Sequence, residues 1–251
     1  MTILDRTSAT KRVPEDPARR TALIGGALYV LTFASSIPAL LLLRSSVLNN
    51  PNYVVGPGAD NVVLLACLLD VVNALACIGT AVVLFPVVKR QNEAVALGFV
   101  GARVLEAAII LTGVASLLAV VTLRQGMAGA AGTNEAALLT VGQSLVEVRN
   151  WTFVLGPILM SGVNALLLGS LMYRSGLVPR IIPILGLIGA PLTLISTTAI
   201  VFGVWTQSSV WHGIAIAPIA TWELSLGIWL VVKGFKPFPI TAGLTVTNRA
   251  A

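Results

Sequence analysis

Six ionisable side chains stand in or beside long apolar runs: Asp70, Arg103, Glu106, Glu147, Arg149 and Glu223. In such a setting carboxylates and guanidinium groups can bind an ion, relay protons or lock helices together through ion pairs. Arg103 and Glu106 are three residues apart, so a helix places them on one face, one turn from each other. Asp70 and Asn73 repeat that spacing. An Asp or Arg at the centre of a membrane helix costs about 2.5–3.5 kcal/mol on insertion scales. Each must therefore face a bundle interior and find a partner.

Little else in the chain could do chemistry. Cys67 and Cys77 are the only cysteines and His212 is the only histidine. Ten residues of helix separate the two thiols by roughly 15 Å, too far for a disulfide. Both read as structural thiols, and zinc or haem would lack ligands. His212 beside Trp211 reads as a solvated interfacial histidine. The chain has no nucleophile elbow, no His-Glu-x-x-His, no P-loop and no dinucleotide fingerprint. No catalytic set, metal site or cofactor is expected. A membrane enzyme using paired carboxylates ranks last among the function classes.

The elements that must position these residues follow from composition. Of 251 residues, 56% are hydrophobic and only 10% charged, with a mean hydropathy of +0.91. Soluble domains carry about 25% charged residues. So few charges cannot coat a wet surface, which makes lipid the solvent. The net charge is +6, but the basic residues sit at the ends of apolar runs, as a topology signal does. That distribution excludes a nucleic-acid-binding face.

Apolar runs of 20 or more residues suit helices, whereas barrel strands alternate over about 10. The fold expected is an all-α, six-helix transmembrane bundle over 21–236. Its spans fall at about 22–43, 62–86, 94–122, 151–173, 182–205 and 213–232. The segments 1–20 and 237–251 read as disordered cytoplasmic tails, 124–134 as a Gly/Ala-rich loop and 135–150 as an amphipathic lead-in to the fourth span. Five Lys/Arg residues lie in 1–20, two at 89–90, two at 174 and 180, and three after 232. The other side holds only Arg44 and Arg124. By the positive-inside rule both termini are cytoplasmic. Trp151, Trp205 and Trp211 then mark the outer interface, and Tyr173 and Trp229 the inner one.

A rise of about 1.5 Å per residue puts Asp70, Glu106 and Glu223 at a similar level, roughly 12–14 Å below the outer boundary. Arg103 lies one turn deeper. Glu147 and Arg149 fall near the outer interface, at the mouth. One arginine against three acids leaves negative charge over, so either Arg149 reaches in or a proton takes up the excess. Pro218, five residues before Glu223, frees the carbonyl of Ile214 from its helical bond.

Four segments resemble a family of bacterial multi-pass membrane proteins known as domain-of-unknown-function family 4386. They are LFPVVKRQNEAVALGFVGARVLEA (84–107), VRNWTFVLGP (148–157), SGLVPRIIPILGLIGA (175–190) and WELSLGIWLVVKGF (222–235). The resemblance spans about 20–236 and includes the positions of Arg103, Glu106, Arg149, Trp151 and Glu223. At Ile181 relatives often carry Trp, which touches only an interfacial anchor. The resemblance implies the fold and a bacterial cytoplasmic-membrane location, and no activity.

The function expected is transport or sensing of a small solute, or proton-coupled transport. Its site would be built by Asp70, Arg103, Glu106 and Glu223, with Glu147 and Arg149 at the mouth. The other expectation is a structural or accessory membrane protein whose charges only hold helices together. Membrane lipids, and a small-molecule ligand or protons, are the expected partners, and nucleic acid is not.

Overall fold

A computed structural model describes residues 16–127 and 134–237. The described part of the chain is helical, without strands. The helices are α1 (Pro17–Leu43), α2 (Asp60–Val88), α3 (Glu93–Met127), α4 (Glu135–Phe153), α5 (Ser161–Ser175), α6 (Ile181–Val201) and α7 (Val210–Val232). A π-helical turn, Arg44–Leu48, extends α1, and a π-helical segment, Val154–Met160, joins α4 to α5 without a break. Six helical rods result, each long and apolar enough to cross a membrane.

The rods differ from the expected spans at their ends. α1 starts at Pro17, where Asp16 accepts a bond from the Ala18 N–H at 3.1 Å and the proline needs no partner for its own nitrogen. The expected tails otherwise fall outside the described residues. The loop expected at 124–134 is helix as far as Met127, and 128–133 lie outside the described residues. The segment expected as a helical lead-in to the fourth span runs into it without a break, as the first half of one rod, Glu135–Ser175, of 41 residues. At about 1.5 Å per residue it is roughly twice as long as a 30 Å hydrocarbon core is thick. Pro157 sits within the π segment. A proline lacks the N–H of the helical ladder and clashes with the carbonyl four residues back, and wider winding relieves both at a cost in regularity.

Rods adjacent in sequence pack side by side, and α7 returns against α1, so the six form a closed ring. At the closing seam Gly26 and Gly227 let backbones touch. A Cβ on Gly26 would stand 2.7 Å from the Gly227 carbonyl oxygen. Arg19 strengthens this seam by donating to the Leu230 and Val231 carbonyls at 3.0 and 2.7 Å, which caps the open end of α7. The turn after α5 uses Gly176 at φ 67°, with its N–H bonded to the Met172 carbonyl at 3.1 Å.

Two large apolar cores fill the ring, with a small third cluster of Ala74, Cys77, Ala107 and Ile110 between α2 and α3. The larger lies towards the expected inner end and joins Tyr29, Leu84, Phe99, Met172, Trp222 and Leu230. The other lies towards the expected outer end and joins Leu43, Val47, Tyr53, Cys67, Leu117 and Val121. The outward faces are apolar as well. On α2 the exposed Leu68, Leu75 and Val82 recur every seven residues, opposite the buried Cys67, Asp70, Asn73, Ala74 and Cys77. A helix that is apolar on both faces belongs in lipid.

At the expected outer end, Asp60 accepts from the Tyr53 hydroxyl at 2.8 Å and from Gln125 at 3.0 Å, and it pairs with Arg124. This knot ties the 49–59 connection to the end of α3. Burial and the Asp60 carboxylate both push the Tyr53 hydroxyl above its ordinary pKa, so it stays a donor to Asp60.

Candidate functional site

The charged residues lie in a layer between the two cores. Arg103 on α3 is 2% exposed. It donates from Nη1 to Glu106 at 3.0 Å and from Nη2 to Glu223 of α7 at 2.8 Å. The first contact is the one-turn pair that the spacing predicts; the second crosses the interior of the ring from α3 to α7. Glu106 also accepts from the Asn164 side-chain nitrogen of α5 at 2.7 Å. The Arg103 guanidinium stacks over Tyr29 at 5.0 Å and Phe99 at 5.8 Å, a favourable arrangement for a desolvated cation. Its Nη1 also lies 3.6 Å from the Cys77 sulfur.

A second pair lies beside this network. Arg149 of α4 donates to Asp70 of α2 at 3.2 Å, and both residues are 5% exposed. Arg149 therefore reaches into the bundle to Asp70 and also lines a cavity at the expected outer end. It can do so because α4 runs unbroken into the fourth rod and packs on α3. Close approach helps: a Cβ on Gly113 of α3 would come within 3.0 Å of Arg149 Cδ.

Glu147 joins neither network. It is exposed, with no ion pair among the described residues. Of the six expected residues the structure gathers three around Arg103 and two around Arg149, and leaves Glu147 at the rim. His212 was expected in solvent. It is buried instead, with Nδ1 2.8 Å from the Ser196 hydroxyl.

Asn164 and Tyr29 complete the Arg103 network and carry no motif that singles them out. A lone Asn in an otherwise apolar run was the available signal for Asn164. Tyr29 reads as one more aromatic residue until the fold sets it over the guanidinium.

Two cavities flank the layer. The first, about 300 Å³, lies between α1 and α7 over Arg103, Glu106 and Glu223. Glu223 keeps 14% of its side chain exposed there. Asn73, Cys77 and Ser161 add polar atoms, and Phe33, Ile37, Phe153 and Ile219 supply an apolar wall. The second, about 720 Å³, lies at the expected outer end and is lined by Arg44, Asn49, Glu147, Arg149, Gln207 and His212. Leu40, Phe153, Ile158 and Ile216 line both cavities, so an apolar neck separates them. Two orphaned buried atoms belong to the Arg103 network, Arg103 Nε and Asn164 Oδ1.

With Glu106, Glu223 and Asp70 ionised against Arg103 and Arg149, the layer carries one negative charge in excess. A buried excess charge demands a counter-ion or a proton. Among the described residues no group of three or more His, Cys, Asp or Glu side chains has the arrangement to hold a metal ion.

No curated protein and no solved structure matches the chain. The family model described as "Domain of unknown function (DUF4386)" matches residues 24–234. That stretch runs from the first turns of α1 past the end of α7 and holds the whole charged layer. With six helices long and apolar enough to span a bilayer, the chain is a multi-pass membrane protein, and it belongs to the DUF4386 family.

Proposed function

We propose that the chain binds a small solute in the cavity over Arg103, Glu106 and Glu223, as a transporter or a sensor. The carrying observation is an unbalanced pair of carboxylates, with Glu223 open to a cavity of about 300 Å³. A packing device needs neither an excess charge nor space beside it. The larger cavity serves as the mouth, with Glu147 on its wall, and the apolar neck acts as a barrier. The counts of Lys and Arg support an orientation with both termini in the cytoplasm, and the family resemblance supports a bacterial cytoplasmic membrane.

The test is thermal unfolding of the purified protein in an uncharged detergent, wild type against Glu223→Gln and Glu106→Gln, from pH 5 to 8. Glu223→Gln removes the excess charge and leaves Arg103 paired with Glu106, so it should melt at or above the wild-type temperature. A marked loss of stability in Glu223→Gln would make that acid a packing element and sink the site.

A second reading, a structural role, has its own observation. Asp70 and Arg149 form a closed, balanced and almost fully buried pair. This pair holds α2 to α4, and we assign it to packing.

A further inference from the structure

We infer that the solute is a lipophilic organic monocation, such as an ammonium ion on an apolar body; this rests on the reading of the cavity as a ligand site. The charge argument comes first. Arg103 already carries two carboxylates, Glu106 on Nη1 and Glu223 on Nη2, so an anion joining its unpartnered Nε–H would set a third negative charge against one guanidinium. A cation instead completes the balance of two acids against one guanidinium.

The lining agrees. The Thr32 hydroxyl donates to the Tyr29 carbonyl and the Ser161 hydroxyl to the Ile158 carbonyl, each at 2.7 Å. Both residues line the cavity, and with their hydrogens committed to the backbone their oxygens can only accept, which suits a donor ligand. The rings of Phe33 and Phe153 stand in the same wall, and aromatic faces attract organic cations.

The routes in require an apolar body. α1 and α7 touch at Gly26 and Gly227, while Ile37 and Ile216, farther out on the same two helices, both line the cavity. Ile37 is 52% exposed, on the lipid side. The lining at this lipid-facing side is apolar at both isoleucines, and so is the neck towards the larger cavity. An inorganic cation would have to shed its water with too few oxygens in reach, whereas an alkyl or aryl ammonium partitions into lipid and enters either way.

The experiment is isothermal titration calorimetry on the full chain in an uncharged maltoside detergent. The probes are 2-phenylethylammonium, neutral 2-phenylethanol and the anion 3-phenylpropionate. The proteins are wild type, Glu223→Gln and Ala220→Trp, the last filling the cavity from an exposed position on its wall. The cation should bind wild type at least tenfold more tightly than either other probe, and each substitution should weaken it at least tenfold. A cation that binds no better than the alcohol overturns the proposal, as does one indifferent to Ala220→Trp. A neutral or anionic probe that binds more tightly than the cation and is lost in Ala220→Trp overturns the ligand class but keeps the cavity as a site. Binding by none of the three removes both.

Discussion

Arg103 holds two acids from two helices, and its loss is the most informative single change. Arg103→Leu leaves Glu106 and Glu223 buried without a cation, and breaking such a network by removing one partner costs about 3–5 kcal/mol. Thermal unfolding in detergent should register this as a large fall in the midpoint. Adding Glu106→Gln and Glu223→Gln to the same chain should recover more than half of it. A midpoint that stays put in the single variant would show that water already solvates the two acids. At the neighbouring pair, a double-mutant cycle between Asp70→Asn and Arg149→Met should return a coupling of about 0.5–3 kcal/mol, the range for residues in direct contact. Additive losses would mean that the 3.2 Å contact contributes nothing. At this scale the sequence was partly legible. A charge inside an apolar run announces itself, and the i, i+3 spacing of Arg103 and Glu106 dictates their contact. The partner at Glu223, 120 residues away, follows from no local rule. Charge balance narrows the choice of acids without picking one.

The helices meet through small residues, as membrane helices do when lipid offers no hydrophobic driving force for association. Gly186 of α6 lies under Trp222 of α7, where a Cβ would sit 2.7 Å from the indole. Gly186→Leu should therefore force α6 and α7 apart, with a sharp loss of monodisperse protein in size-exclusion chromatography. Gly101, whose Cβ would meet nothing within 4 Å, is the matched control and should tolerate leucine. Equal behaviour of the two variants would contradict the packing. The existence of each helix was legible, because twenty consecutive apolar residues have no other use. The ends were less so. Residues 135–150 mix polar and apolar side chains, and composition does not tell a surface helix from the protruding half of a long rod. Tertiary contact with α3 decides it, through the Ser116 hydroxyl that donates to the Leu145 carbonyl and through Leu138 and Leu145 against the outer core.

Across the whole molecule, orientation is the property that the charge counts predict most directly. Ser208→Cys, in the connection before α7, should react with a membrane-impermeant maleimide added outside intact cells. Ala94→Cys, at the start of α3, should react only after the cells are opened. Both native cysteines are buried, so the background is low. The reverse pattern would invert the bundle and place the larger cavity on the cytoplasmic side. The ring itself has a consequence at this scale. The seam that closes it joins α1 and α7, from opposite ends of the sequence, and is sealed by Gly26, Gly227 and Arg19. Residues of both helices farther out line the smaller cavity.

The sequence by itself determined the solvent, the number of spans and the identity of the costly charges. All three follow from one-dimensional quantities: apolar run length, charge density and the price of an ion in hydrocarbon. Tertiary structure decided the rest. It split the charges into a balanced pair and an unbalanced trio, drew Arg149 inside, left Glu147 at the rim and opened a cavity beside Glu223. Partner choice depends on how rods rotate and cross, and those angles are set by ring closure and by glycines that touch only once the ring has formed.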